Sequence, residues 1–180
     1  MDALDQITVS DGEADVTVRL ERADPRDPGL IRELLDIDLQ SYAESTFSEH
    51  TAITLSRHAA IFLLKTGGRA IGSCVFVRDF ERPEDAVLLA TGVLPGWRGR
   101  GLGEWMVASA LRELAVLGFD GVVLYVGARN QRAVKVYNDV GFRLVDNRPD
   151  PTDAEDRLLV LRADLAAARA GGWQAGRAAS

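Results

Sequence analysis

The sequence predicts a mixed α/β fold, with a central twisted sheet of about six or seven strands and helices on both faces. Apolar runs of strand length alternate with helical patterns along most of the chain. Residues 86–126 read as strand, helix, strand, a unit that makes its two strands parallel through a right-handed crossover. Closely spaced runs at 60–65 and 70–79 indicate an antiparallel pair, so the sheet is expected to be mixed.

The first half of the chain supplies two helices and three strands. Alternation of apolar and polar residues over 16–20 predicts the first strand. Regularly spaced leucines and isoleucine predict a helix over about 29–40, and a second helix is expected over about 51–58. The apolar runs at 60–65 and 70–79 flank a turn with two adjacent glycines, which is typical of a β-hairpin.

The second half contains the parallel unit. The apolar run at 86–93 predicts a buried strand, and apolar residues on one face predict a helix over 103–117. Residues 122–126 are nearly all apolar, as expected of a strand buried on both faces. A short helix follows over 130–140. Two further strands are expected, at 142–145 and 157–165.

The length of 180 residues predicts one domain, assigned to residues 15–165. Residues 1–14 are polar and acidic and are expected to be a flexible arm. Residues 166–180 are rich in alanine, glycine and arginine and are expected to be a flexible tail. A monomer and a homodimer both remain open.

Composition limits the classes of partner and location. The 21 basic and 27 acidic residues give a net charge of −6, which argues against a nucleic-acid partner bound through bulk charge and is compatible with a cationic amine. One cysteine and two distant histidines give no zinc pattern, so no metal is expected. No apolar run approaches the about 18 residues of a membrane span, so no membrane partner is expected. A start without signal-peptide character makes a cytoplasmic location the expectation.

A glycine-rich stretch, residues 93–103, joins the strand at 86–93 to the start of a helix. Its alternate glycines are Gly99, Gly101 and Gly103. Glycine permits backbone angles that other residues avoid and lets a ligand approach the main chain. The first N–H groups of a helix lack partners within it and favour phosphate. Arg98 and Arg100 add positive charge, so we interpret the stretch as a pyrophosphate-binding loop.

Spacing distinguishes three kinds of phosphate-binding loop. A P-loop requires lysine and a hydroxyl residue after its last glycine, but Leu102 and Gly103 follow Gly101. A dinucleotide-binding loop requires glycine or alanine where Glu104 stands, and an acidic residue ending the next strand, which is absent here. The remaining pattern, Arg-x-x-Gly-x-Gly over residues 98–103, resembles the coenzyme A loop of the GNAT superfamily of acetyl-CoA-dependent N-acetyltransferases.

A second motif strengthens the resemblance. Residues 130–142 read Asn-x-x-Ala-x-x-x-Tyr-x-x-x-Gly-Phe, which is similar to the other half of the family's site. Asn130 is also a good helix N-cap, and without the glycine loop Tyr137 would be interpreted as a half-buried core tyrosine. The resemblance covers residues 86–145 well, and residues 16–80 only by the order of elements.

The resemblance implies acetyl transfer from acetyl-CoA, as co-substrate, to a primary amine of a small molecule or peptide by direct attack. It implies that Tyr137 protonates the leaving thiolate and that Asn130 contacts the pantetheine arm. Main-chain N–H groups near Val93 would polarise the thioester carbonyl. The implied coenzyme-binding residues are Val93, Arg98, Gly99, Arg100, Gly101, Leu102, Gly103, Asn130 and Ala133. Arg129 and Arg132 are candidates for the 3′-phosphate, with a solvated role equally open.

One departure from the family concerns the general base. Many relatives carry a glutamate on the strand before the loop, but residues 86–93 contain no carboxylate. Other candidates are Glu44, Glu49, His50, Glu84 and Asp85, each of which fits a solvated surface role better, and no base is assigned. The acceptor wall is expected from residues 38–60 and 80–85. A non-catalytic acyl-CoA-binding or regulatory domain of the same fold is the alternative, and a dinucleotide-dependent oxidoreductase is a distant third.

Overall fold

A computed structural model describes residues 3–10, 14–42 and 47–166. The strands are β1 Asp5–Ser10, β2 Asp15–Arg22, β3 Ala60–Thr66, β4 Arg69–Arg78, β5 Asp85–Val93, β6 Gly121–Gly127, β7 Arg143–Pro149 and β8 Arg157–Asp164. The helices are α1 Leu30–Ser41, α2 Glu49–His58, α3 Leu102–Val116 and α4 Gln131–Val140, with a 3₁₀ turn at Pro95–Trp97. The predicted tail falls almost wholly on residues 167–180, outside the described residues.

The strands of the described residues form one sheet in the order β1-β2-β3-β4-β5-β6-β8-β7. Only the β5–β6 pair is parallel, and the other pairs are antiparallel. The predicted mixed sheet with flanking helices is therefore confirmed, with eight strands in place of six or seven. Among the described residues, no helix combines the length and the apolar character that crossing a membrane requires.

The extra strand is β1. Residues predicted to be a flexible arm instead pair antiparallel with β2 over Asp5–Ser10, so the predicted domain span 15–165 leaves out a strand of the sheet. An edge strand needs only one apolar face, and here Ile7 and Val9 pack against the core. Their signal is weak because the strand has only these two apolar positions.

The core fills the space between the sheet and the helices. Its largest fully buried side chains include Phe62, Phe76 and Phe142. Asp85 is also fully buried, as the first residue of β5, contrary to the solvated surface role expected for it. Both of its carboxylate oxygens accept hydrogen bonds from Arg162 at 2.9 Å. This pairing offsets the cost of burying the charge and gives Asp85 a structural role at the start of the strand.

The parallel pair at the centre of the sheet opens partway along. β5 pairs with β6 only from Asp85 to Leu88, although both strands continue beyond that point. The register of β5 against β4 shifts at the same place, so that Leu89 is an extra, bulged residue. A bulge bends its strand and raises the local twist, which accounts for the separation. The separated ends of β5 and β6 leave a gap in the sheet.

Candidate active site

A cavity of about 520 Å³ lies at the open end of β5, bounded by α3 and α4. Nine of the ten residues predicted for the site line it; the exception is Arg100. Among the described residues, its charged lining residues are Arg98, Glu104, Arg132 and Lys135, three cations against one carboxylate. In a chain of net charge −6, this local excess of positive charge suits an anionic ligand.

The glycine loop, residues 98–103, has the backbone geometry that favours glycine at two positions. Gly99 and Gly101 have φ angles of 80° and 71°, whereas Gly103 takes an ordinary helical conformation in the first turn of α3, contrary to expectation. A Cβ atom added at any of the three would meet no other group within 4 Å. The predicted need for unusual backbone angles thus holds for two glycines, and at Gly103 the absence of a side chain leaves open space.

The start of α3 presents unpaired main-chain donors. Gly101 is the N-cap residue, and the first intrahelical bond joins the Trp105 N–H to the Gly101 carbonyl at 3.0 Å. The N–H groups of residues 102–104 therefore have no acceptor within the helix, and a glycine cap has no side chain to occupy them. Together with the positive end of the helix dipole, these groups form an anion site beside the loop.

The two loop arginines contact the protein's own backbone. Arg98 donates to the Val93 carbonyl at 2.8 Å and to the Ser41 carbonyl at 3.1 Å, tying the end of β5 to the end of α1. Arg100 donates to the Gly96 carbonyl at 2.7 Å and lies over the Trp97 ring. Both guanidinium groups thus brace the loop, and their contact with phosphate stays a prediction.

Sequence reasoning missed Tyr42, whose hydroxyl reaches the open edge of β5. It donates to the Thr91 carbonyl at 2.6 Å and accepts from the Thr91 N–H at 3.2 Å. The neighbouring Leu94 N–H faces β4, where it donates to Ile71. Because main-chain groups alternate along a strand, the Val93 N–H points the same way as that of Thr91, into the gap.

Close approach of α1 brings Tyr42 to this edge. Gly92 permits the approach, because a Cβ atom there would lie 2.5 Å from the Ser41 hydroxyl. That hydroxyl is buried, has no hydrogen-bond partner among the described residues, and lines the cavity. The end of α1 therefore supplies the cavity with one bonded hydroxyl and one without a partner.

Tyr137 is buried on α4, and its ring packs edge-on against Phe142 with centroids 5.6 Å apart. Its hydroxyl makes no hydrogen bond to the described residues, so it is available to a ligand in the cavity. Burial raises the pKa of Tyr137, and the nearby Tyr42 and Cys74 raise it further. The phenol consequently keeps its proton at neutral pH and serves as a hydrogen-bond donor.

The remaining candidates lie just before α4 or in its first turn, and they differ in whether they line the cavity. Asn130 caps the helix as predicted, accepting from the Ala133 N–H at 3.2 Å, and both residues line the cavity. Arg132 also lines it and has no side-chain partner among the described residues. Arg129 does not line it and pairs instead with Asp153 and Glu155. The structure thus places Arg132, and not Arg129, beside the cavity.

Four of the five candidate bases lie among the described residues, and none of these four lines the cavity. Glu49 and His50 lie in the exposed first turn of α2, Glu84 pairs with Arg82, and Asp85 is bound by Arg162. Glu44 lies outside the described residues. The carboxylate that does line the cavity, Glu104, stands at the start of α3 beside the glycine loop.

Solved structures share this fold. The ribosomal-protein-S18-alanine N-acetyltransferase of Escherichia coli aligns with a TM-score of 0.71 and 18% identity, over 91% of this chain and 99% of that one. A Bacillus subtilis acetyltransferase solved in complex with CoA aligns with a TM-score of 0.67 and 18% identity, over 82% and 99%. At these identities the likeness establishes the fold alone.

Curated relatives match over shorter stretches. The mycothiol acetyltransferase of Mycobacteroides abscessus is 38% identical over 65 residues, which are 36% of this chain and 22% of that protein. The mycothiol acetyltransferase of Streptomyces avermitilis is 45% identical over 84 residues, which are 47% of this chain and 27% of that protein. The chain thus spans about a quarter of the length of these relatives.

The Acetyltransferase (GNAT) family profile matches residues 28–142, which include α1, the opened β5 edge, the glycine loop and α4. The match covers more than half of the chain and contains every residue predicted for the site. The resemblance noted in the glycine loop and in residues 130–142 is therefore confirmed. The chain belongs to the acetyltransferase (GNAT) family.

Proposed function

We propose that the chain is an acetyl-CoA-dependent N-acetyltransferase that acetylates a primary amine of a small molecule or peptide. The observation that carries the proposal is one cavity that combines the open main chain of β5, the N-terminus of α3 and the Tyr137 hydroxyl. These supply a polarising N–H group, an anion site and a proton donor, which are groups that assist acetyl transfer from a thioester.

The residues fit the coenzyme as co-substrate. The open space over Gly99, Gly101 and Gly103 leaves room for a pyrophosphate against the N–H groups of residues 102–104. Arg132 adds a cation at the same cavity. The Val93 N–H, on the opened edge of β5, is the group assigned to the thioester carbonyl. Asn130 and Ala133 are assigned to the pantetheine arm.

The proposed reaction is direct transfer. The neutral amine nitrogen attacks the thioester carbonyl carbon, a C–N bond forms, and the C–S bond breaks. The attacking nitrogen loses a proton to water, the departing thiolate accepts one from Tyr137, and the Tyr137 phenolate regains a proton from water. A free thiol has a pKa near 8.5, below the value near 10 of free tyrosine, so the transfer from Tyr137 to the thiolate is uphill in water. Burial in the same cavity also raises the pKa of the thiol, which narrows the difference.

The names of the similar proteins leave the acceptor open, since one names mycothiol and another an alanine of ribosomal protein S18. The acceptor therefore stays at the level of an amine. We assign its entry to the side of the cavity formed by Ser41 and Tyr42, because the loop side carries the groups that suit phosphate.

The test is release of free thiol from acetyl-CoA, followed with a chromogenic disulfide over a panel of amines and peptides, with calorimetry of acetyl-CoA binding in parallel. We expect micromolar binding and thiol release with at least one amine. Absence of binding would contradict the coenzyme assignment. Binding without release across the panel would favour a non-catalytic acyl-CoA-binding domain. That alternative draws support from the absence of Glu49, His50, Glu84 and Asp85 from the described lining of the cavity.

A further inference from the structure

A second cavity, of about 350 Å³, lies at the opposite end of α3 from the first. The first cavity reaches Val107 of this helix, and the second is lined by Leu114 and Leu117. The nearest lining residues of the two cavities on this helix, Val107 and Leu114, are about seven residues or roughly 10 Å apart along its axis. The two linings have no residue in common. The second cavity is therefore a separate feature that the proposed acetyl transfer does not use.

The rim of this second cavity is basic. Arg22 from β2, Arg57 and His58 from α2, and Arg78 from β4 converge on it, and no carboxylate stands among its described lining residues. Acidic residues outnumber lysines and arginines by 27 to 21 in the chain, so three arginines and a histidine, with no carboxylate among the described lining residues, are a marked local excess of basic groups. Such a rim attracts an anion.

Most of the basic side chains at the rim make no hydrogen bond or ion pair with the rest of the described protein. Within the described part of the chain, the side chains of Arg22, Arg57 and His58 have no hydrogen-bond or ion-pair partner. Arg57 and His58 lie in the last turn of α2, where a positive charge interacts favourably with the helix dipole. That role does not extend to Arg22 on β2. Arg78 donates to the Pro83 carbonyl and lies 4.6 Å from the centre of the Phe119 ring.

The floor of the cavity is apolar. Phe76, Ala86 and Leu114 lie beneath it but are at most 1% exposed. The apolar surface within reach of a ligand belongs to Leu117, which is 45% exposed, and to the partly buried Phe119. An apolar floor under a basic rim is complementary to a molecule with an apolar body and one anionic end, because arginine binds carboxylates through paired N–H donors. The volume lies within the range of small-molecule sites.

We propose that this cavity binds a small amphiphilic carboxylate, its chain against Leu117 and Phe119 and its carboxylate between Arg22 and Arg57. The probe is sodium octanoate, titrated by calorimetry and by chemical-shift mapping of backbone amides. We expect saturable binding with shifts at Ala59 and Leu117. Octanol, with the same chain and no charge, and acetate, with the charge and no chain, should each bind at least tenfold more weakly.

Variants test whether Arg22 and Arg57 bind the carboxylate of octanoate. The double variant Arg22→Gln/Arg57→Gln should weaken octanoate binding at least tenfold, as expected when charge-assisted hydrogen bonds are lost. The matched control is Arg26→Gln/Arg69→Gln, which removes the same charge from exposed arginines away from the cavity and should leave binding unchanged. Leu117→Glu, which puts a carboxylate at the margin while keeping both arginines, should weaken binding too.

Several results would overturn the proposal: equal octanoate binding in the Arg22/Arg57 variant and in its control, octanol binding as tight as octanoate, or shifts confined to the glycine loop and Asn130. Coenzyme A affinity is measured on the same samples. Because the two cavities share no lining residue, coenzyme binding should be unchanged in the double variant. Failure of octanoate to bind, with coenzyme binding intact, would reject this inference and leave the proposed acetyl transfer standing.

Discussion

The phenolic oxygen of Tyr42 lies 2.6 Å from the Thr91 carbonyl oxygen and 3.2 Å from the Thr91 nitrogen, so one side chain bonds both main-chain groups of a single residue. These are the groups that a neighbouring strand would bond if β6 continued to pair with β5. The hydroxyl thus replaces a strand partner at the point where the sheet opens. It leaves the Val93 N–H, two residues further on, facing the gap.

Tyr42→Phe should loosen the open edge of β5. Two main-chain groups lose their partner, so we expect unfolding free energy to fall by about 1–3 kcal/mol and acetyl-CoA affinity to drop with it. Urea unfolding and calorimetry measure the two effects. Tyr125→Phe is the matched control, since Tyr125 is a half-exposed tyrosine on β6 outside the cavity. Unchanged coenzyme affinity in Tyr42→Phe would show that water replaces the hydroxyl without consequence.

Tyr137→Phe should separate chemistry from packing. The hydroxyl makes no hydrogen bond to the described residues, while the ring packs on Phe142, so stability and coenzyme affinity should hardly change. If the hydroxyl protonates the thiolate, the turnover number should fall about 100-fold or more. Steady-state kinetics on an amine found in the screen measures this, with Tyr125→Phe again as control. Full turnover in the variant would remove Tyr137 from the mechanism.

Gly103→Val tests whether the space over the glycine loop receives the coenzyme. Gly103 has an ordinary helical conformation and open space above it, so valine brings no left-handed strain and only the modest helix penalty of a β-branched residue. We expect acetyl-CoA affinity to fall at least tenfold with melting temperature nearly unchanged, measured by calorimetry and thermal unfolding. Tight binding by the variant would place the coenzyme elsewhere.

A second pair of variants, at the two ends of α3, separates the effect of backbone strain from the loss of space for the coenzyme. Gly101 and Gly118 both have positive φ, 71° and 91°, so Gly101→Ala and Gly118→Ala should each lose about 1 kcal/mol of stability. Gly101 lines the first cavity and Gly118 does not. Only the Gly101 variant is expected to weaken coenzyme binding as well.

The free energy of unfolding should decline at alkaline pH because of Cys74. The thiol is buried, and burial raises its pKa in the folded state above that in the unfolded chain. Because the unfolded state then releases a proton that the folded state retains, the contribution is complete below a pH of about 8.5 and declines above it. Urea unfolding from pH 7 to 10 should show this decline in the parent protein and a shallower one in Cys74→Ala. Parallel curves would contradict it.

Much of the site follows from local sequence. The glycine loop, the start of α3 and the Asn130 cap depend on residues within a few positions of one another, and each was predicted. So were the helices and the parallel unit, because helical periodicity and the two-residue alternation of a strand can be read from neighbouring residues. Strand β1 escaped prediction because its apolar positions are few and belong to an edge.

Tertiary structure decided which groups meet across the sheet. Tyr42 reaches Thr91 from 49 residues away, and Arg98 reaches the end of α1 from 57 residues away. Arg129 and Arg132 lie three positions apart, yet one pairs with the segment before β8 and the other lines the cavity. Such outcomes depend on where β5 bulges and how closely α1 packs on Gly92. The position of the bulge and the closeness of the α1 contact are set by the packing of whole elements, which no local pattern of residues specifies.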